Sequence, residues 1–265
     1  MRFSDLIDAV RRNPLDVTIP AEWGQGRASF GGLVAALLYE AMIAQVPAGR
    51  PLRSLAITFV GPVAPDVSAS YQVEVLREGK AVSQLLGRVV QNGDVATLVQ
   101  ASFGASRVSE IDVASEPAPV FKHWDEVEDL PYIKGVTPEF MRHMSMRWTV
   151  GGLPFSGQKS RTMGGWIRLR GDVKEEPLTE AHILALVDAW PPALLPHLSK
   201  PAPGSSLTWT IEFIQPLQDL TTLDWCQYHV TIEHARDGYG HTAAAFWSPN
   251  GALIAISRQT VTVFA

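Results

Sequence analysis

Residues 31–47 read GGLVAALLYEAMIAQVP, a run of helix-forming composition with apolar side chains on nearly every face. A surface helix carries one apolar stripe, so a helix that is apolar all round must be enclosed by protein. Glu40 interrupts the run, and the run is too short to span a bilayer comfortably. The following segments can supply the wrapping. RSLAITFVGPV (53–63), ASYQVEVLREG (69–79), AVSQLLGRVVQ (81–91) and VATLVQASFGA (95–105) are strand-like, with turn signals REGK and QNGD between them. This half reads as one buried helix and an antiparallel sheet.

After an acidic, Pro-bearing stretch, EIDVASEPAPVFKHWDEVEDLPYIKG, the same order returns. Strand-like MRWTVGG and GGWIRLRG precede a second largely apolar helix, LTEAHILALVDAW (178–190), and SLTWTIEFIQP, LDWCQYHVTIEHA, GHTAAAFWSP and GALIAISRQTVTVF follow it. ITFVGP (57–62) and IEFIQP (211–216) occupy matching places, as do the turns at Asn92-Gly93 and Asn250-Gly251, so the chain carries an internal repeat. The expected division is an N-terminal unit over 1–106, a linker over 107–143 and a C-terminal unit over 144–265.

Composition bounds the function. A chain of 265 residues, 46% hydrophobic and 18% charged, buries roughly three quarters of its unfolded surface and suits one large domain or two of about 130 residues. The net charge of −5 includes no basic run, so nucleic acid is not an expected partner. The single cysteine, Cys226, excludes an intramolecular disulfide, and the opening MRFSDLIDAVRRNPLD lacks the regions of a signal peptide. The expectation is a cytoplasmic protein without membrane association.

Two polar residues stand in apolar rows. Asp188 joins Ala181, Leu184 and Ala185 on one helical row, while Ile183, Leu186, Val187 and Trp190 cover the other sides. It falls in the last turn, because Pro191 and Pro192 discourage continuation, and there the helix dipole disfavours a carboxylate. A structural Asp binding backbone amides just after the helix would look the same, but a buried carboxylate in so costly a position favours a chemical role. Gln259 shares a strand face with Leu253, Ala255, Val261 and Val263. Gly31-Gly32 opens the first helix, where free backbone N–H groups can bind an anion and where glycine also permits close packing.

The stretches WGQGRASFGGLVAALLYEAM, REGKAVSQLLGRVVQNGDVATLVQASF and NGALIAISRQ resemble the bacterial thioesterase II type of acyl-CoA thioesterase over nearly the whole chain. The resemblance implies an α+β double hotdog fold, two repeats that each wrap a long helix in a curved antiparallel sheet, and hydrolysis of fatty acyl-CoA to free acid and CoA. It also implies an oligomer of identical chains. In that family an Asp on the second helix, a Thr or Ser on the next strand and a Gln on the last strand form the catalytic set. Asp188 and Gln259 match by local context. The hydroxyl falls on Ser206, although Thr208 and Thr210 share its face by strand parity, and Thr208-Trp209 replaces an Asp-His pair common in the family. Asp188, Ser206 and Gln259 are therefore the candidate catalytic residues, with Gly31, Gly32 and Thr208 as candidate substrate-binding residues.

Other signals are weaker. There is no Gly-x-Ser-x-Gly elbow. Cys226 reads as a buried thiol, and His229 and His234 face apart on a strand, so neither a metal nor another cofactor is expected. GYGHTA matches a loose dinucleotide fingerprint at Gly238, Gly240 and Ala243 but lies between antiparallel-looking strands. Trp209, Trp225 and Trp247 read as core or interface residues, and Arg53, Arg77, Arg88 and Arg258 as solvated cations that could meet CoA phosphates. A non-catalytic acyl-CoA-binding protein is the alternative from another class. A hotdog hydratase or dehydratase would need a helical histidine; His182, in the first turn and away from Asp188, fits poorly.

Overall fold

The computed structural model describes residues 1–170 and 175–264; Gly171, which closes the GGWIRLRG stretch, lies outside the described residues. Three α-helices occur in it: α1 (Phe3–Arg12), α2 (Gly31–Ile43) and α3 (Glu180–Asp188). The strands of the N-terminal half are β1 (Val17–Thr18), β2 (Gly24–Gln25), β3 (Ala28–Ser29), β4 (Leu52–Phe59), β5 (Ser68–Glu78), β6 (Val82–Gln91) and β7 (Asp94–Gly104). Those of the C-terminal half are β8 (Met144–Val150), β9 (Thr162–Leu169), β10 (Gly204–Phe213), β11 (Cys226–Arg236), β12 (Tyr239–Trp247) and β13 (Leu253–Val263).

Eleven of the strands form one antiparallel sheet in the order β1-β5-β6-β7-β4-β10-β13-β12-β11-β9-β8. The two halves join where β4 pairs with β10. The repeat that matches Ile57 with Ile211 also matches Ala56 with Thr210, and these two residues pair with each other. A local twofold axis therefore passes through the Ala56–Thr210 pair, and each half presents the same strand to the other. The turns at Asn92-Gly93 and Asn250-Gly251 join equivalent strand pairs, β6–β7 and β12–β13.

The concave face of the sheet encloses α2 and α3. All eleven residues from Gly32 to Met42 are buried, as a helix apolar all round requires. Thr179 caps α3 in a capping box with His182. The helices touch where a Cβ on Gly32 would lie 3.1 Å from the Cα of Ala185, tighter than most side-chain contacts. Helix α1 adds Phe3, Leu6, Ile7 and Val10 to the core, one face at i, i+3, i+4 and i+7.

The chain between the halves is exposed at first and then docks. Gln227 donates to the Pro119 carbonyl at 2.6 Å, and Trp166 to the Lys122 carbonyl at 2.9 Å. Phe140 stacks on Phe30 at 4.0 Å, fixing the residue that precedes α2.

On β9, Gly165 pairs with both Trp148 and Tyr228. A Cβ there would overlap the Arg147 carbonyl oxygen and come within 3.0 Å of the Trp190 ring. Gly165→Ala should therefore cost ~3 kcal/mol by overpacking, read as a fall in Tm of roughly 6–12 °C. Unchanged melting would mean that β9 and the ring are not in this close contact.

Candidate active site

Asp188 closes α3 with its carboxylate against the first turn of α2. A Cβ on Gly31 would lie 3.0 Å from Asp188 Oδ2, and one on Gly32 would lie 2.9 Å from Asp188 Cβ. Glycine at both positions lets the α2 backbone reach the carboxylate, and the Gly32 N–H bonds to it. The unfavourable end of its own helix is thus opposed by the favourable N-terminal end of the other. Gln259 completes the environment, with Nε2 donating to Asp188 Oδ1 at 2.9 Å.

Burial pushes the Asp188 pKa up to about 7, while the bonds from Gln259 and Gly32 pull the other way. The residue nevertheless keeps intermediate solvent exposure, as do Gln259, Ser206 and Phe59. Water can reach a carboxylate poised to exchange a proton near neutral pH.

Ser206 pairs with Val261, two residues along β13 from Gln259 and on the same inward face. Among the described residues, its hydroxyl forms no hydrogen bond with Asp188 or Gln259. Thr208 is placed differently from the parity expectation. A bulge between Ser206 and Thr208 inserts Leu207, so Thr208 pairs with Thr260, is exposed and faces away from Gln259. Thr210 follows it onto that face opposite Arg258. The structure does not bring Thr208 to the carboxylate.

Trp209 takes the inward position instead. It pairs with Gln259, is 0% exposed, and donates from Nε1 to Ser257 Oγ at 2.9 Å. Its alternation with the buried Ile211 and Phe213 was the available signal, masked by the bulge that shifts Ser206 relative to it. Tyr228, whose hydroxyl pKa is raised by burial and secondarily by the Asp188 charge, stacks on Trp190 at 5.0 Å. Phe59 lies 3.1 Å from the Cβ position of Gly31.

The remaining candidates lie elsewhere. His182 sits six residues before Asp188, about 9 Å along the helix axis, and burial depresses its pKa to about 4. Cys226 is fully buried with a raised thiol pKa. Arg88 pairs with Glu74, Arg258 with Glu233, and Arg53 donates to the Gly104 carbonyl. Trp225 lies under the guanidinium groups of Arg147 and Arg168. The GYGHTA stretch starts in the β11–β12 turn, where Asp237 and Gly238 have positive φ, and continues as the first part of β12.

Two helices, one sheet and a local twofold axis define a double hotdog, with a partly buried carboxylate at the meeting of its two helices. The family model for the acyl-CoA thioesterase N-terminal domain matches residues 19–104, and that for the C-terminal domain matches 116–263. The chain belongs to this acyl-CoA thioesterase family and is a thioester hydrolase. It is 26% identical to acyl-CoA thioesterase 2 of Haemophilus influenzae over 253 residues, 88% of this chain and 86% of that one. A hot dog fold protein from Alicyclobacillus acidocaldarius superposes with a TM-score of 0.82 at 22% identity, covering 94% of this chain and 92% of that one. The acyl-CoA thioesterase II TesB2 of Mycobacterium marinum gives 0.74 at 18% identity, with the same shares covered.

The raised pKa carries a stability cost of defined sign. Near pH 4 the folded protein keeps the Asp188 proton that the unfolded chain, at the ordinary value of 3.8, is releasing. Stability is therefore lost as pH rises from about 4 to about 7 and stays lost above it, by at most ~4 kcal/mol. Asp188→Asn should raise Tm at pH 8 and have little effect at pH 4.5. A melting difference independent of pH would contradict the assigned shift.

Proposed function

We propose that this protein hydrolyses acyl-CoA to free acid and CoA through a water activated by Asp188. The observation that carries the reading is the carboxylate held 2.9 Å from the Gln259 amide, at the N-terminus of α2, with its pKa near 7. A general base works best when its pKa lies near the working pH.

In this reading Gln259 Nε2 orients Asp188, and its Oε1 accepts a hydrogen bond from the attacking water. Ser206 holds the same water from the neighbouring strand. Asp188 takes a proton as the water oxygen bonds to the thioester carbonyl carbon. The carbonyl oxygen becomes negative and meets a backbone N–H in the first turn of α2, with Gly31 supplying it because Gly32 is bonded to Asp188. The carbon–sulfur bond then breaks, CoA leaves as the thiolate, and Asp188 returns its proton to the sulfur. The N-terminal half supplies the oxyanion donor and the C-terminal half the base and amide, so the site needs both repeats.

Release of CoA thiol from a panel of acyl-CoAs tests the reading. Asp188→Asn, which keeps the shape and removes the base, should lower kcat about 10²–10⁴-fold. Gln259→Ala should fall in the same direction while remaining folded. In the wild type, kcat/KM should rise with pH to a plateau above an apparent pKa near 7. Undiminished turnover by Asp188→Asn would sink the base assignment. Binding of acyl-CoA by the wild type without release of CoA would replace hydrolysis with a binding role.

A further inference from the structure

The thioester carbonyl must lie beside Asp188 and Gln259, and the acyl chain must leave that point into the protein. Toward β4, the position beside Gln259 is filled by Trp209, whose indole is pinned to Ser257. The same row continues into Ile57, 2% exposed, and Val99, 1% exposed. Toward β12, Gln259 pairs with the buried Thr242. Along β13, Val261 is fully buried and pairs with Gly240, whose face is covered by Leu194. Phe59 closes the approach beside Gly31, and the Trp190–Tyr228 stack occupies the inner side near Asp188.

We propose that Trp209 is the specificity-determining residue of the site, closing the acyl pocket so that the enzyme favours short acyl groups. This rests on the thioesterase reading above and deepens it. Trp209 matches Trp190 as the bulkiest of the blocking side chains, and it alone among them both pairs with Gln259 and has its indole N–H held by a hydrogen bond to Ser257. Trimming it opens a path along the Ile57–Val99 row, between sheet and helices, while Asp188, Gln259 and Ser206 stay in place. Its position also explains what the Thr208-Trp209 sequence does: the bulge turns Thr208 outward and leaves the larger residue facing the substrate.

The test is kcat/KM of the full chain on acetyl-, butyryl-, hexanoyl-, decanoyl- and palmitoyl-CoA, for the wild type, Trp209→Ala and Trp209→Phe. The wild type should prefer butyryl-CoA or shorter over decanoyl-CoA. Trp209→Ala should raise the decanoyl-to-butyryl ratio by about tenfold or more, and Trp209→Phe, which keeps a ring, by less. The ratio within one variant does not depend on the fraction folded, so partial misfolding leaves it readable. A wild type that prefers decanoyl- or palmitoyl-CoA overturns the proposal, as does an unchanged ratio in Trp209→Ala. Calorimetry with the non-hydrolysable thioethers S-butyl-CoA and S-decyl-CoA separates the pocket from the chemistry. If no ester is turned over, the hydrolytic reading fails, and the pocket proposal then stands on tighter S-decyl-CoA binding by Trp209→Ala than by wild type, or falls without it.

Discussion

One contact organises the molecule: the N-terminus of α2 against the C-terminal carboxylate of α3. Two glycines keep it close, because a Cβ at Gly32 would crowd Asp188 Cβ and the Ala185 backbone, and one at Gly31 would press on the carboxylate and the Phe59 ring. The contact also requires the two sheets to be continuous, since β4–β10 pairing holds the helices at this separation. The contact packs the two repeats together and places the dipole of one half on the acid of the other. Without it Asp188 would be a carboxylate at the wrong end of its own helix.

The repeat makes the chemistry of that acid clearer by contrast. LYEAM in α2 and LVDAW in α3 align Glu40 with Asp188, and both are drawn out of water by an apolar helix. Glu40 is 3% exposed, and Arg11 Nε from α1 meets it at 2.8 Å. Asp188 receives hydrogen bonds from an amide and a backbone N–H, and among the described residues no cation forms an ion pair with it. At Glu40 burial raises the pKa while the Arg11 guanidinium draws it back down. At Asp188 no cation among the described residues does this, the neutral donors offset burial only in part, and the pKa rises to about 7. The strand positions agree: Leu55 pairs with Ala101 where the equivalent Trp209 pairs with Gln259. One half ties its carboxylate to α1, and the other holds its carboxylate with neutral donors alone among the described residues.

Much of this was legible in the residues because both periodicities are strong. An all-round apolar helix implies a wrapper, and Asp188 and Gln259 stand out because each interrupts an apolar row. What parity could not supply was the bulge at Leu207. One inserted residue turned Thr208 to the outside and hid the fact that Trp209 faces Gln259. Nor can local sequence tell whether Gly32 is there for packing or for its N–H; the structure uses it for both, and the N–H is spent on Asp188 itself. Helix α1 was not anticipated, although Phe3, Leu6, Ile7 and Val10 carry its period, and its Arg11–Glu40 contact is a long-range pair that no window contains. The joining of both halves into one sheet is likewise a property of the β4–β10 edge, where the repeat in the sequence becomes a symmetry axis only once Ala56 and Thr210 meet.

The polar residues at the site are costly where they stand, and the surrounding structure shows how that cost is contained. A buried acid with a raised pKa destabilises the folded state at neutral pH. It is tolerated because α2, α3 and the sheet around it are packed with side chains almost free of solvent contact, which leaves little room for local relaxation. The same rigidity keeps the Gln259 amide aimed at the carboxylate rather than at water. Trp209 belongs to both accounts, since its ring fills the core row beside the amide and its N–H satisfies Ser257. Under the proposed mechanism, packing that holds the base in place is also the wall that the substrate meets, so stability and substrate size would rest on the same side chain.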